Sequence, residues 1–417
     1  MTGVKQCSER VILHCDCNSF FASVETALNP QYRDVPMAVC GSQEDRHGIV
    51  LAKNDLAKAY GIKTADTVHA AKRLCPNLVI AEPHYDQYVK FSSLVAAIYA
   101  DYTDKIEPFG IDESWLDVTA SLRAFGSGYE IAEMIRRRVR EEIGITVSIG
   151  VSFNKVFAKL GSDYKKPDAI TVIDRGNYKS IVDPLPVSDM LFVGHKTVET
   201  LASFGVRTIG ELADLPRSLL TEKLGKYGEM LSVYARGEDE TPVESPDDSA
   251  KSIGNGYTFR RDLVGIDEMQ GGVDFLTEEI ARRMRDKGLV CSTVSVTIKD
   301  QYLRTVQKQR PLPHPTDICK EISSCAMSII KDSWVEGKPV RSITVTATNL
   351  GRKSAVSDQV DMFIDKQPEP CDDLGRVRRG EVAVEDIRRR FGANSIVRGA
   401  GLNSGLGIYD IKNRKRR

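Results

Sequence analysis

The order of predicted elements in the first 170 residues constrains the fold of this chain more than any other feature. Apolar periodicity predicts, in order, a strand at 11–16, a helix at 86–102, a hairpin at 106–118, a helix at 128–143 and a strand at 146–151. This order is the split βαβ arrangement of a ferredoxin-like sheet. The segment 20–83 is then an insertion after the first strand.

Carboxylates lie at two points of this predicted sheet. Asp16 ends the first strand, and Asp112 and Glu113 lie on the hairpin. Carboxylates that converge on one sheet edge repel each other unless cations lie between them, and oxygen ligands suit Mg²⁺ or Mn²⁺. An exposed polar turn is the alternative explanation for the Asp-Glu pair, and the pattern alone leaves both open.

The net charge of zero hides an asymmetry along the chain. The 58 basic and 58 acidic side chains are unevenly divided, so that residues 1–250 carry a net charge of −8 and residues 251–417 a net charge of +8. A basic second part is typical of a nucleic-acid-binding region. The zero total therefore does not exclude a nucleic-acid partner.

Several protein classes are disfavoured by composition. No apolar run approaches the length that spans a bilayer, and the polar N-terminus lacks the apolar core of a signal peptide. The nine cysteines include no Cys-x-x-Cys pair, which disfavours a disulfide framework and favours a reducing compartment. We expect a cytoplasmic protein that does not contact membranes.

The second half of the chain predicts further domains. Residues 170–236 read as mainly helical, and the acidic, proline-containing stretch 238–250 predicts an extended, solvated linker. Residues 252–350 again alternate strands and helices, which predicts a second α+β domain.

Three motifs in order resemble the Y family of DNA polymerases, the DinB/UmuC group. The stretch 14–25 (HCDCNSFFASVE) is similar to the family's opening motif, and 110–117 (GIDESWLD) is similar to its second catalytic motif. The stretch 146–159, followed by 161–170, is similar to the third. The resemblance extends from about residue 10 to about residue 400.

The resemblance implies an α+β right-hand polymerase with a ferredoxin-like palm, small fingers, a helical thumb with a helix-hairpin-helix and an α+β little finger domain. The corresponding ranges are the palm at 1–19 and 84–169, the fingers at 20–83, the thumb at 170–237, a linker at 238–251, the little finger at 252–351 and a tail at 352–417.

The resemblance also implies a catalytic and metal-binding set. Asp16 and Asp112 would bridge two Mg²⁺ ions, with Mn²⁺ as an alternative, and Glu113 would lie near the primer 3′-hydroxyl. The backbone carbonyl of Cys17 would be a further ligand. The implied activity is template-directed addition of dNTPs to a primer, with low fidelity, during translesion synthesis in DNA repair.

Aromatic and basic residues would bind the incoming nucleotide. Phe21 occupies the family's steric-gate position, where a ring collides with a ribose 2′-hydroxyl. Asp55 and Lys58 stand where DinB members carry a tyrosine and an arginine, so triphosphate binding departs from that pattern. The predicted nucleotide-binding set is Phe20, Phe21, Lys53, Lys58 and Lys159.

Two regions would bind DNA. Residues 194–210 resemble a helix-hairpin-helix, whose backbone N–H groups bind phosphates, and an ordinary helical turn is the alternative. For each basic residue of the second domain, a solvated surface charge is the alternative explanation. The predicted DNA contacts are Gly194, Lys196, Arg260, Arg261, Lys299 and Arg304.

The stretch 359–363 resembles the bacterial pentapeptide that docks on the sliding clamp; its residues are Gln359, Val360, Asp361, Met362 and Phe363. The basic run 412–417 either binds DNA nonspecifically or is a solvated tail. We expect a monomer, and the likeness to UmuC leaves open an accessory protein of the UmuD type. A non-catalytic scaffold and a nucleotidyl cyclase are the rival functions.

Overall fold

The computed structural model describes residues 9–42, 46, 48–245, 250–335, 337–353, 373–392 and 395–397. The chain divides into two units, one formed by Met1–Gly41 with Ile49–Asp247 and the other by Ser42–Gly48 with Asp248–Arg417. Both mix helices and strands, which agrees with the predicted α+β class.

The first unit contains two sheets and the helices around them. Its strands are β1 (Ile12–Cys17), β2 (Met37–Cys40), β3 (Val50–Lys53), β4 (Val79–Ala81), β5 (Ile106–Pro108), β6 (Glu113–Asp117), β7 (Val147–Ser152) and β8 (Ile170–Ile173). Its α-helices are α1 (Phe20–Leu28), α2 (Asp55–Ala59), α3 (Val68–Leu74), α4 (Tyr85–Ala100), α5 (Leu122–Phe125), α6 (Gly128–Arg138), α7 (Lys155–Tyr164), α8 (Tyr178–Val182), α9 (His195–Ala202), α10 (Ile209–Asp214), α11 (Arg217–Leu224) and α12 (Lys226–Ala235).

The larger sheet has the order β5-β6-β1-β7-β8. The first four strands pair antiparallel, and this is the ferredoxin-like order predicted from the sequence. All six residues of β1 are buried, because the central strand of a sheet covered on both faces has no solvent side. β8 pairs parallel with β7, so the sheet continues beyond residue 169, where the sequence placed the end of the palm.

Helix α7 lies unusually close to this sheet. Asn154 caps its N-terminus by accepting a hydrogen bond from Phe157 N. A Cβ atom on Gly150 of β7 would overlap the backbone carbonyl of Ala158, and a Cβ on Gly161 would lie 3.0 Å from Gly150 Cα. Two glycines therefore allow backbone to pack on backbone, which brings α7 close to β1 and β7.

The inserted segment forms the smaller sheet, in the order β3-β2-β4. Helix α1 contributes to both sheets: Phe20 and Val24 pack in the core of the five-stranded sheet, and Ala22 packs with Met37 of β2. The predicted fingers boundary at residue 20 therefore lies inside a shared core.

The predicted linker 238–251 is not simply solvated. Val243 is buried and packs against Trp115 of β6. The guanidinium group of Arg10 donates to the carbonyl oxygens of residues 239–241. The charge and prolines of this stretch predicted exposure, but one valine and a distant arginine hold its first half on the first unit.

The second unit has a four-stranded antiparallel sheet in the order β11-β10-β12-β9. The predicted second α+β domain is therefore present, although the sequence analysis did not recognise β11. Its elements are β9 (Ser252–Leu263), α13 (Ile266–Asp286), β10 (Leu289–Asp300), β11 (Thr305–Thr316), α14 (Cys319–Ser333), β12 (Val340–Arg352) and α15 (Asp373–Phe391).

Helix α15 corrects the prediction of a tail from residue 352. It is joined to the second unit by ion pairs of Arg285 with Glu381 and Glu385, and of Arg378 with Asp317. The helix is rich in arginine and has little apolar surface, so its partners could not be found from hydrophobic periodicity. Across the described ranges, no helix is long and apolar enough to cross a bilayer.

We predict that Gly150→Ala lowers the free energy of unfolding by about 1–3 kcal/mol, because the new methyl group would force α7 away from β7. Thermal denaturation of the full chain measures the change. Gly351→Ala is the control, since a Cβ atom there meets nothing within 4 Å. Equal midpoints for the two variants would contradict the close packing at Gly150.

Candidate active site

Strand pairing brings the predicted carboxylates together. Asp16 of β1 is directly opposite Glu113 of β6, and Cys17 N donates to the carbonyl oxygen of Asp112 at 3.0 Å. The hairpin between β5 and β6 therefore delivers both of its acidic residues to the end of β1. Asp112 and Glu113 are both half-buried, and the turn that carries them lies against a third carboxylate.

Two lysines lie among these carboxylates. Lys159 Nζ of α7 is 2.5 Å from Glu113 Oε2 and 3.7 Å from Asp16 Oδ2. Lys166 Nζ is 2.7 Å from Asp16 Oδ2 and 2.6 Å from Asp163 Oδ1. Lys166 was not predicted from the sequence, although Lys165 and Lys166 form a cluster of positive charge directly after α7.

The pKa values show how strongly these groups interact. Burial, together with the negative charges of Asp16 and Glu113, raises the pKa of Asp112 to about 6. Burial raises the pKa of Asp16 despite the nearby Lys166. Burial would also raise the pKa of Glu113, but hydrogen bonding with His14 and Lys159 outweighs it and holds the value at about 2.

The donor set fits hard divalent cations. Asp16, Asp112 and Glu113 supply only oxygen atoms, and the ammonium groups beside them show that cations are favoured there. No three His, Cys, Asp or Glu side chains in the described ranges already stand close enough to hold one ion. Binding of one ion by all three carboxylates would therefore require these side chains to move.

The thiols of Cys15 and Cys17 do not belong to this donor set. Alternation along β1 directs them to the face opposite His14 and Asp16, where both are fully buried. Burial raises the pKa of both thiols, so each remains protonated at neutral pH. The thiol of Cys17 is therefore a poor ligand, and the backbone carbonyl implied by the resemblance stays a prediction.

The two adjacent phenylalanines differ in exposure. Phe20 is 3% exposed and packs in the core, so its ring is not presented to a nucleotide. Phe21 is half-buried and stacks on Tyr88, with ring centroids 4.1 Å apart. Tyr88 donates to the buried carboxylate of Glu25 at 2.5 Å, which orients the ring that supports Phe21.

The predicted triphosphate lysines lie on the smaller sheet and on α2. Lys58 Nζ is 3.1 Å from Asp55 Oδ1 and 3.5 Å from Ser19 Oγ, which directly precedes α1. Lys53 Nζ donates to Thr64 Oγ1 at 3.1 Å. Burial, together with the positive charge of Lys58, lowers the pKa of Lys53. The two lysines are thus close enough to influence each other.

The predicted helix-hairpin-helix is a pair of helices, α9 and α10. Gly194 and Lys196 are both exposed at the start of α9. Gly205 adopts a φ of 81° in the turn, and Thr208 with Glu211 forms a capping box at α10.

The predicted DNA contacts of the second unit differ in availability. Arg261 is engaged by Glu268 at 2.6 Å, whereas Arg304 is exposed with its guanidinium 5.8 Å from the centre of the Tyr302 ring. Arg260 and Lys299 are half-buried on β9 and β10. The predicted clamp peptide 359–363 and the basic run 412–417 lie outside the described residues.

The chain is similar to known proteins along most of its length. The family model described as "impB/mucB/samB family" matches residues 15–163, and that of its C-terminal domain matches residues 250–362. DNA polymerase IV of Acetivibrio thermocellus is 45% identical over 395 residues, which cover 94% of this chain and 97% of that protein. DNA polymerase IV of Moorella thermoacetica is 38% identical over 406 residues, covering 96% and 98%.

A solved structure supports the fold. A Y-family DNA polymerase chimera of Dbh and Dpo4 superposes with a TM-score of 0.73, covering 81% of this chain and 98% of its own. The identity is 24%, so this likeness concerns the fold alone. It agrees with the right-hand α+β architecture expected from the sequence.

We predict that Asp112→Asn stabilises the metal-free protein at pH 8. The folded-state pKa of about 6 lies above the ordinary value of 3.8, so ionisation of Asp112 destabilises the fold. After allowance for solvent screening, the gain is about 1–2 kcal/mol above pH 6 and disappears as the pH falls towards 4.

Denaturant titrations in EDTA at several pH values measure this effect. The exposed Asp104→Asn is the matched control. A gain for Asp112→Asn that did not change between pH 8 and pH 4 would show that its cause is not the ionisation of Asp112.

Proposed function

The chain belongs to the impB/mucB/samB family of Y-family DNA polymerases and is therefore a DNA-directed DNA polymerase. We propose that it copies damaged templates by two-metal phosphoryl transfer. The observation that carries the proposal is the meeting of Asp16, Asp112 and Glu113 at the end of β1, with Lys159 and Lys166 beside them.

The residues at the end of β1 have separate roles in the proposal. Asp16, Asp112, Glu113 and the carbonyl of Cys17 would hold two Mg²⁺ ions, or Mn²⁺. Such ions, when bound, lower the pKa of a hydroxyl and stabilise charge on phosphoryl oxygens. Lys159 leaves Glu113 and binds the triphosphate, where its charge stabilises the departing pyrophosphate. Lys166 is released from Asp16 in the same rearrangement.

Nucleotide choice is assigned to Phe21. Its ring is half-exposed and is supported from behind by Tyr88, so it cannot easily retreat from a 2′-hydroxyl. Lys53 and Lys58 contribute positive charge to the triphosphate site. Lys58 lacks the bidentate geometry of an arginine, so this contact is weaker and less directional.

The remaining parts are assigned to DNA and protein partners. The start of α9, with Gly194 and Lys196, binds backbone phosphates. In the second unit, Arg304 is the most available of the predicted phosphate contacts. The peptide 359–363 docks on a sliding clamp, which would keep a weakly bound polymerase at the primer end. A UmuD-type accessory protein and action as a monomer are further parts of the proposal.

Primer extension on undamaged and lesion-bearing templates tests the proposed function. We expect the wild type with Mg²⁺ to extend both primers, and Glu113→Gln to lose about 100-fold or more of the rate, because it removes a charge that meets the reacting groups. Failure on the lesion-bearing template alone would remove the translesion part of the proposal.

The control variant is Glu133→Gln, which removes a carboxylate from the outer face of α6, where Glu133 pairs with Arg136. It should retain full activity. Equal losses in the two variants would indicate a general loss of folding and would contradict the role of Glu113.

We further predict that Phe21→Ala raises ribonucleotide incorporation relative to deoxynucleotide incorporation by ~10–200-fold, because removing the ring opens space for the 2′-hydroxyl. Single-nucleotide insertion with matched rNTP and dNTP pairs measures the ratio. Phe20→Leu is the control, since it perturbs the neighbouring buried ring. Unchanged selectivity in Phe21→Ala would remove this residue from the gate.

A further inference from the structure

A fully buried histidine lies between the carboxylates and helix α7. His14 is on the same face of β1 as Asp16, two residues away, and its side chain is 0% exposed. Its Nδ1 is 2.8 Å from Ser162 Oγ of α7, and its Nε2 is 3.4 Å from Glu113 Oε2. The ring also contacts Trp115 edge-on, with centroids 5.2 Å apart.

The contacts of the two ring nitrogens place His14 between α7 and β6. Ser162 Oγ lies 2.8 Å from His14 Nδ1 and 2.8 Å from the carbonyl oxygen of Lys159. With the hydroxyl hydrogen directed at that carbonyl oxygen, His14 Nδ1–H donates to Ser162; the other tautomer reverses this bond and keeps the contact. His14 Nε2 lies 3.4 Å from Glu113 Oε2, at the outer limit of a hydrogen bond.

Burying an imidazole costs free energy that its two polar contacts must offset, so an apolar side chain would serve a purely structural position more simply. His14 links β1 to the turn of α7 that carries Lys159. The close approach at Gly150 determines how near α7 lies to the sheet. It also restricts which face of α7 meets the sheet, since Ala158, Gly161 and Ser162 face Gly150.

Two polar contacts add to this restraint on the rotation of α7. Trp115 Nε1 donates to the carbonyl oxygen of Lys155 at 2.9 Å, in the first turn of α7. The pair of His14 and Ser162 holds the next turns, and Lys159 lies between Lys155 and Ser162. A small rotation of α7 would swing Lys159 Nζ away from Glu113, because the ammonium group lies at the end of a long side chain.

We propose that His14 is a positioning residue: through Ser162 it holds α7 in the rotation that brings Lys159 to Glu113 and Asp16. The catalytic role of Lys159 in this position rests on the proposed function. The contacts that hold Lys159 there are a property of the folded chain. His14 acts through Ser162 and Lys159 and is not assigned any contact with substrate.

The first test measures the position of Lys159 without any substrate. Acylation of individual lysines by a limiting amount of an N-hydroxysuccinimide ester, read by mass spectrometry, reports their accessibility in metal-free protein. Lys159 is 17% exposed and paired, so it should react slowly, and the exposed Lys105 is the internal reference. We expect Ser162→Ala to accelerate acylation of Lys159 severalfold relative to Lys105.

The control variant is Ser152→Ala. Ser152 is also a buried serine whose hydroxyl donates to a carbonyl oxygen, that of Ile173, at 2.7 Å, but it has no contact with the site. It should destabilise the protein as much as Ser162→Ala and leave Lys159 protected. Equal reactivity of Lys159 in the two serine variants would overturn the proposal.

The second test uses the maximum rate of single-nucleotide insertion. We expect a loss of about tenfold in Ser162→Ala and in His14→Leu, with unchanged DNA affinity, and no further loss in the double variant. His14→Asn retains an N–H close to Nδ1 and should restore both the rate and the protection of Lys159. Additive losses, or equal behaviour of His14→Asn and His14→Leu, would overturn the proposal.

If His14→Leu fails to fold, the comparison of Ser162→Ala with Ser152→Ala still decides the outcome. If the wild type extends no primer, the proposed function fails. The acylation measurement nevertheless tests whether the His14 and Ser162 pair holds Lys159.

Discussion

Repulsion among the carboxylates at the end of β1 is the interaction on which the arrangement of the first unit depends. Asp16, Asp112 and Glu113 are drawn together by strand pairing in a partly buried place, where like charges interact more strongly than in water. Lys159 and Lys166 supply the opposing charge. Burial, together with the repulsion that remains from Asp16 and Glu113, raises the pKa of Asp112.

The counter-charges reach the carboxylates because α7 can approach the sheet. Gly150 and Gly161 remove the side-chain layer that normally separates a helix from a sheet, so Lys159 extends from a backbone already near β1. The same approach brings Ser162 within hydrogen-bond distance of His14. Packing, hydrogen bonding and charge pairing at this edge therefore depend on one close contact between backbones.

Much of the fold was predictable because its signals are local. Alternating apolar residues predicted the strand and hairpin that carry the three carboxylates, and their order along the chain predicted the ferredoxin-like topology. Features made by distant partners were not predictable in this way. β8 joins β7, Val243 is buried against Trp115, and α15 is held by ion pairs with residues such as Arg285 and Asp317. None of these pairings leaves a periodic pattern in its own segment.

The features of the candidate site also divide into those with a local sequence signal and those made by distant partners. The sequence by itself indicated the side chains to which the chemistry is assigned, because Asp16, Asp112, Glu113, Phe21 and Lys159 fall within motifs that resemble those of the Y family. Only the tertiary structure decided which of these groups come together. Lys166 pairs with Asp16, Phe20 is buried while Phe21 is half-exposed, and His14 contacts α7. The physical reason is that these contacts depend on the separation and rotation of α1 and α7 against the sheet. That geometry results from side-chain packing across elements far apart in the chain.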